Sequence, residues 1–300
     1  MALAIVHHPS YAAELPTGHR FPMGKYAALA RNLRDEGLLT SENEQLAYPV
    51  TRETLLGAHD ATYVDAVLNL SLNEAEEKQL GLPLTQTIVE RARHAVGGTC
   101  LAAELALRHG IACNSAGGTH HAYHAQGRGF CMFNDVAVAI RLLQAQGKIQ
   151  RAMVIDLDVH QGDGTAQIFA NDPSVFTFSV HAENNFPLQK QASDLDFGLE
   201  DGSQDEAYML WLRHLTVRAI KRFRPDIVFF NAGVDIHRDD KLGRLAVSDL
   251  GLYAREFFVV QTVRSAGLPL VGVIGGGYSD NVETLSRRHA ILFRVADQFG

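Results

Sequence analysis

The chain alternates between short runs of apolar residues and longer segments in which apolar residues recur every three to four positions. The short runs are rich in Val, Ile and Phe, which is typical of strands buried on both faces of a sheet. Such strands are predicted at Leu3–Val6, Ile111–Asn114, Ala152–Asp156, Val175–Val180, Asp226–Phe230 and Pro269–Ile274.

The longer segments have the periodicity of amphipathic helices. They span Lys25–Glu36, Arg52–Asn69, Gln86–His109, Asn134–Gln146, Asp205–Arg222, Ser248–Ala266 and Asn281–Ala296. This alternation predicts an α/β protein with a mainly parallel sheet between helices. Two segments, Thr40–Pro49 and Ala182–Gly202, have neither pattern and are predicted to be surface loops. Because no linker or repeat is visible, we expect residues 1–300 to form a single domain.

Composition narrows the functional classes. The net charge of −7 argues against a nucleic-acid partner. No run approaches the roughly 18 unbroken apolar residues of a membrane span, and the first residues lack the features of a signal peptide. The three cysteines have no metal-like spacing. We therefore expect a cytoplasmic protein without disulfides and without a membrane partner.

Polar residues suited to chemistry follow four of the predicted strands. The runs are Gly117–His121, Asp156–Gly164, Asn231–Asp235 and Gly275–Tyr278. Open parallel sheets bind their ligands at the carboxyl ends of strands, so we expect these runs to meet at one site.

Asp158 and His160 are two positions apart, and on an extended backbone such residues point to the same side. They can therefore coordinate one metal ion, and Asp235 is the best candidate for a third ligand. Two carboxylates and one imidazole suit Zn²⁺ with a position left open for water or substrate. The same oxygen-rich set would accept Fe²⁺, Co²⁺ or Mn²⁺.

The tandem His120 and His121 provide candidates for acid–base catalysis near neutral pH. Asp156 and Asp163 could each orient one imidazole and raise its basicity. Tyr278, on a triple-glycine turn, could donate a hydrogen bond to an oxyanion, although a purely structural tyrosine is an equal alternative.

Together these motifs resemble the histone deacetylase family, which includes acetylpolyamine amidohydrolases and acetoin-utilisation proteins. The resemblance covers nearly the whole chain. It rests on Gly117–His121, Gly129–Cys131 with Asn134 and Asp135, Asp156–Gly164, Asn231–Asp235 and Gly275–Tyr278. The segment His19–Met23 is similar to small bacterial members, and Asn231–Asp235 with Leu242, Gly243 and Leu245 is closest to the class IV branch.

The resemblance implies a three-layer, arginase-like fold with a mainly parallel eight-stranded sheet between helices. It implies zinc-dependent removal of acetyl or longer acyl groups from lysine side chains of a peptide or protein by metal-activated water. Asp158, His160 and Asp235 match the zinc ligands. His121 matches the general base and acid, His120 its electrostatic partner and Tyr278 the tyrosine that stabilises the transition state.

The resemblance also implies a narrow substrate tunnel and bound potassium. The matching tunnel residues are Gly129, Phe130, Phe186 and Gly276. Those for one potassium site are Asp156, Asp158, His160, Ser179 and Val180, and those for a second are Phe169, Asp172 and Val175.

Three alternatives remain open from the sequence. An acetylpolyamine amidohydrolase needs acids at its rim, for which Glu183, Asp194 and Asp196 are candidates. A non-catalytic acyl-lysine binder is expected to have lost Tyr278, one of the tandem histidines or a metal ligand, all of which are present. A binuclear, arginase-like hydrolase needs further bridging carboxylates, where this chain has the tandem histidines.

Overall fold

The structure is a computed structural model that describes residues 2–300. Its eight strands form one sheet in the order β2-β1-β3-β8-β7-β4-β5-β6. Every neighbouring pair is parallel. The strands are β1 (Ala4–His7), β2 (Glu44–Leu46), β3 (Ile111–Asn114), β4 (Ala152–Asp156), β5 (Val175–Ala182), β6 (Leu195–Leu199), β7 (Ile227–Asn231) and β8 (Leu270–Val273).

The connections between strands contain most of the helices. These are α1 (Lys25–Asp35), α2 (Arg52–Leu55), α3 (Ala61–Leu68), α4 (Glu74–Leu80), α5 (Gln86–His109), α6 (Asp135–Ala145), α7 (Asp163–Phe169), α8 (Asp205–Phe223), α9 (Asp249–Ser265) and α10 (Val282–Ala296). The central strands β3, β4, β7 and β8 are buried at every position, as expected when helices cover both faces of a sheet.

All six predicted strands are present, but the two edge strands lie in segments that were predicted to be loops. β2 has only three residues, none of them buried. In β6, exposed Asp196 and Gly198 alternate with half-buried neighbours. Edge strands are often short and carry charges, so neither has the apolar run that marks a buried strand.

The single helix predicted at Arg52–Asn69 is wrong, because the segment forms α2 and α3. The Asp60 side chain caps α3 by accepting from the backbone N–H groups of Thr62 at 2.9 Å and Tyr63 at 3.2 Å. The Asp60 N–H donates to the carbonyl of His124 at 2.8 Å instead of to a carbonyl one turn earlier, so the helix is interrupted at Asp60. The short helices α4 and α7 were not predicted, since seven residues each give little periodicity.

The strand order brings the four polar runs together. Strands β3, β8, β7 and β4 are consecutive in the sheet, and each precedes one of the runs. Their carboxyl ends therefore form one continuous edge. Within residues 2–300, we find no helix whose length and apolar character would suit a bilayer crossing.

Candidate active site

The three predicted metal ligands meet at this edge of the sheet. Asp158 and His160 follow β4, and Asp235 follows the neighbouring β7. One ligand atom from each lies within 4.8 Å of the others. His160 Nδ1 is 2.9 Å from an Asp158 carboxylate oxygen and 3.2 Å from Oδ2 of Asp235.

The route by which Asp158 and His160 converge differs from the prediction. Residues 158–160 form bends rather than extended strand. The His160 N–H donates to Asp158 Oδ1 at 3.0 Å, and the Val159 N–H donates to Asp235 Oδ1 at 2.9 Å. Hydrogen bonds from backbone N–H groups of this bend to the carboxylates of Asp158 and Asp235, instead of strand alternation, therefore hold the side chains together.

The geometry of this cluster fits a divalent cation. All three side chains are buried, and Asp235 Oδ2 has no hydrogen-bond partner within residues 2–300. Burial and the charge of Asp158 raise the pKa of Asp235, because two buried carboxylates repel each other. A cation between them would relieve that cost, and the donor set suits Zn²⁺.

Gly276 closes the cluster from the β8 side. Its N–H donates to Asp158 Oδ2 at 2.7 Å. A Cβ atom at this position would lie 2.0 Å from Asp235 Oδ2, so only glycine allows the backbone to approach both carboxylates.

His120 lies beside the cluster and is held by Asp156. Its Nδ1 is 2.7 Å from Asp156 Oδ2, and Asn231 Nδ2 donates to the other Asp156 oxygen at 2.9 Å. Burial disfavours the charged imidazole, but Asp156 and Asp158 outweigh it and raise the pKa of His120 to about 9. We therefore expect His120 to be a cation at neutral pH.

His121 has the opposite electrostatic character. Its Nδ1 is 2.5 Å from Asp163 Oδ1, while Asp163 Oδ2 accepts from Tyr123 at 3.0 Å and Arg128 at 3.1 Å. Burial and the neighbouring charge of His120 lower the pKa of His121 to about 4, despite Asp163. A neutral, oriented imidazole beside a cationic one has the properties of a general base.

Tyr278 faces the same space from the turn after β8. Its N–H donates to Asp240 Oδ2 at 2.6 Å, and its carbonyl accepts from the Lys241 N–H at 3.0 Å. The hydroxyl has no hydrogen-bond partner among residues 2–300, and the ring centroid lies 6.1 Å from that of His160. Burial raises the pKa of Tyr278, so the hydroxyl keeps its proton as a donor.

A cavity of about 480 Å³ leads from the surface to His121, His160 and Tyr278. Of the predicted tunnel residues, Gly129, Phe130 and Phe186 line it. Gly276 instead lines a smaller inner cavity of about 30 Å³. Gly129 has φ +55°, and a Cβ there would lie 2.8 Å from the His121 ring.

The segments predicted for potassium lie near the two ends of β5. Asp156 on β4 is in register with Ser179 on β5, beside Val180. Phe169, Asp172 and Val175 lie along the connection from α7 to β5. The Asp172 side chain pairs with Arg141 and Ser174, and its backbone carbonyl accepts from the Val175 N–H at 3.2 Å.

The acids proposed for a polyamine rim lie elsewhere. Asp194 accepts from the Thr177 N–H at 2.8 Å, and Asp196 from Gln161 at 2.9 Å. Neither these two nor Glu183 lines the cavity.

The charged residues along the outer cavity are instead Arg20, Lys78 and Arg128, which the sequence analysis missed. They come from three separate segments, so no local motif indicates them. Asp240 was missed for the same reason, because its contact with Tyr278 joins two distant turns.

Comparison with known proteins identifies the family of the chain. Residues 19–294 match the histone deacetylase domain. An uncharacterised protein of Picosynechococcus is 47% identical over 296 residues, covering 99% of both chains. Histone deacetylase 2 of Arabidopsis thaliana is 30% identical over 92% of this chain and 76% of its own. A crystal structure of a histone deacetylase homologue from Aquifex aeolicus has a TM-score of 0.86 at 23% identity, over 99% of this chain and 84% of that one.

The fold and the domain match define the class: a hydrolase with a parallel eight-stranded sheet between helices, whose candidate site lies at the carboxyl ends of the strands. The chain belongs to the histone deacetylase family. The resemblance inferred from the motifs is thereby confirmed, as is the arginase-like fold that it implied.

Proposed function

We propose that this protein is a zinc-dependent lysine deacylase that hydrolyses the amide of an acetyl-lysine. The observation that carries the proposal is the convergence of Asp158, His160 and Asp235, of which His160 lines the same cavity as His121 and Tyr278. Zinc bound by these three residues would act as a Lewis acid on the amide carbonyl and lower the pKa of a water molecule.

The tandem histidines would have different roles in the reaction, proton transfer for His121 and charge stabilisation for His120. Neutral His121 would take a proton from the attacking water and then give one to the departing lysine amine. Asp163 holds the imidazole through Nδ1, which leaves Nε2 for this exchange. His120, charged through Asp156, would stabilise negative charge that develops during the attack.

Tyr278 would donate a hydrogen bond to the oxyanion. Its protonated hydroxyl has no competing partner among the described residues, and the bond that its backbone N–H donates to Asp240 fixes its backbone. Such a donor is worth about 10²–10³ in turnover when it is aligned with the developing charge.

The lining of the cavity favours an acyl-lysine over an acylated polyamine. Phe130 and Phe186 are walls suited to the methylenes of a lysine side chain. A polycationic substrate needs carboxylates near the mouth, and no Asp or Glu of residues 2–300 lines this cavity. A non-catalytic binder would have no use for His121, Asp163 and Tyr278 together.

We further propose potassium at the two segments named above, because backbone carbonyls and Asp156 suit a hard cation. We also propose that residues 1–300 form one catalytic domain, supported by a single sheet and one contiguous hydrophobic core.

Two variants test the assignment. His121→Ala should lower turnover of an acetyl-lysine peptide by about 10²–10⁴-fold while zinc content stays unchanged. Asp158→Ala should lose activity and bound zinc together. Full activity after either change would refute the proposed roles.

A further inference from the structure

The mouth of the cavity has a charge opposite to that of the whole chain. The protein has a net charge of −7, yet the Lys, Arg, Asp and Glu residues lining the cavity are Arg20, Lys78 and Arg128, all basic. These cations line the cavity that leads from the surface to His121 and Tyr278.

The three cations differ in what they already contact. Arg128 is paired with Asp163 at 3.1 Å and lies over the Phe186 ring, with its Cζ 4.9 Å from the centroid. Arg20 lies over the Phe130 ring at 6.0 Å. Arg20 and Lys78 are exposed, and neither forms an ion pair with a residue in the range 2–300. Their charges are therefore available to a substrate.

The acids closest in sequence do not cancel this charge at the cavity. Lys78 is on α4 with Glu74, Glu76 and Glu77, none of which lines the cavity. Glu76 accepts from the Asn73 N–H at 2.8 Å, and Glu77 from the Leu84 N–H at 3.3 Å. None of the three acids forms an ion pair with Lys78 within residues 2–300.

We propose that this mouth selects acylated amines that carry a carboxylate close to the acylated nitrogen. The inference rests on the proposed deacylase function and extends it to the substrate class. The acyl group would enter first, so that the cations face the amine portion at the surface. The carboxylate has two possible sources: acidic residues flanking an acyl-lysine in a peptide, or the α-carboxylate of free acetyl-lysine.

The first experiment measures kcat/KM by acetate release for acetyl-lysine peptides of equal length with glutamate, alanine or lysine at the flanking positions. An exposed ion pair changes affinity by up to about fivefold, so two cations predict a preference of about tenfold for glutamate over lysine. Raising the salt from about 0.05 M to about 0.5 M should remove most of it. A comparison of kcat/KM for free acetyl-lysine and for its α-amide shows whether the α-carboxylate is recognised, which separates the two sources of the carboxylate.

The variant Arg20→Glu/Lys78→Glu should abolish or reverse the preference, which is measured as the ratio of kcat/KM for the glutamate and lysine peptides so that any general loss of turnover cancels. Arg213→Glu/Lys221→Glu, at exposed positions of α8, makes the same change in net charge far from the cavity and should keep the preference. Arg128 is left unchanged because it contacts Asp163.

Fluorescence anisotropy measures binding of the same peptides to the zinc-loaded Tyr278→Phe variant. Binding and turnover together distinguish a failure of the proposed deacylase function from a failure of the proposed selectivity. Absence of turnover for every peptide would contradict the deacylase function. Equal affinity for the glutamate and lysine peptides, or an equal loss of preference in the α8 control, would overturn the selectivity of the mouth.

Discussion

The Nδ1 atom of His121 lies 2.5 Å from Oδ1 of Asp163. The carboxylate fixes the orientation of the ring and leaves Nε2 toward the cavity. Asp163→Asn should keep the shape but lose the charge that favours a protonated His121, and we expect kcat to fall by about 10–100-fold. Steady-state kinetics with parallel measurement of bound zinc checks this, and unchanged kcat would argue against His121 as the base.

Tyr278→Phe removes one hydroxyl that has no partner in the described part of the protein. Because the hydrogen bond would form only with the developing oxyanion, we expect kcat to fall by about 10²–10³ with little change in KM. Circular dichroism and zinc content should match those of the wild type. A rise in KM at constant kcat would instead assign Tyr278 to substrate binding.

The inner cavity predicts a preference for short acyl groups. Its volume is about 30 Å³, and Tyr26 and Arg91 form part of its wall. Arg91 is held by a bond from its Nε to the Tyr11 carbonyl at 3.0 Å and lies 4.6 Å from the Tyr26 ring centroid. We expect kcat/KM to be more than about tenfold higher for acetyl than for decanoyl, because each buried methylene needs space. Faster hydrolysis of the decanoyl peptide would show that this wall opens.

His59 makes the stability of the fold depend on pH. Its Nδ1–H donates to the Tyr123 carbonyl at 2.9 Å, and its Nε2 accepts from the Asn134 N–H at 2.9 Å. The bond accepted by Nε2 requires the neutral ring, and burial lowers the pKa of His59 from 6.5 to about 4. The unfolded chain thus binds a proton that the native state excludes. Stability should therefore fall as the pH drops from 6.5 toward 4, by about 3 kcal/mol.

Urea unfolding across this pH range tests that dependence. His59→Gln should reduce the pH slope of the unfolding free energy by about one proton. His214→Gln, at an exposed position of α8, should leave the slope unchanged. An identical slope for all three proteins would exclude His59 as its source.

The sequence predicted the buried centre of the fold better than its edges. Strands such as β3 and β4 have the predicted bounds because every position is buried, which produces an unbroken apolar run. β2 and β6 were missed because edge strands lack that run. The break between α2 and α3 depends on a backbone bond from Asp60 to His124, a contact between distant segments that periodicity does not record.

The residues of the candidate site likewise divide into those that the sequence predicted and those that it did not. Asp158, His160, Asp235 and the tandem histidines follow strands that the topology places side by side, so their convergence could be expected. Arg20 and Lys78 reach the cavity from a loop and a short helix, and Asp240 contacts the Tyr278 backbone from another loop. Their positions depend on tertiary packing, and no spacing within the chain reveals it.

The central claim is that Asp158, His160 and Asp235 bind one divalent ion at which the amide is hydrolysed. The most direct measurement is titration of chelator-stripped protein with Zn²⁺ while acetate release from an acetyl-lysine peptide is followed. Activity should rise linearly and level off at one equivalent of zinc per chain, and Asp235→Ala should show no such rise. Full activity in the metal-free protein, or an undiminished rise in Asp235→Ala, would contradict the account.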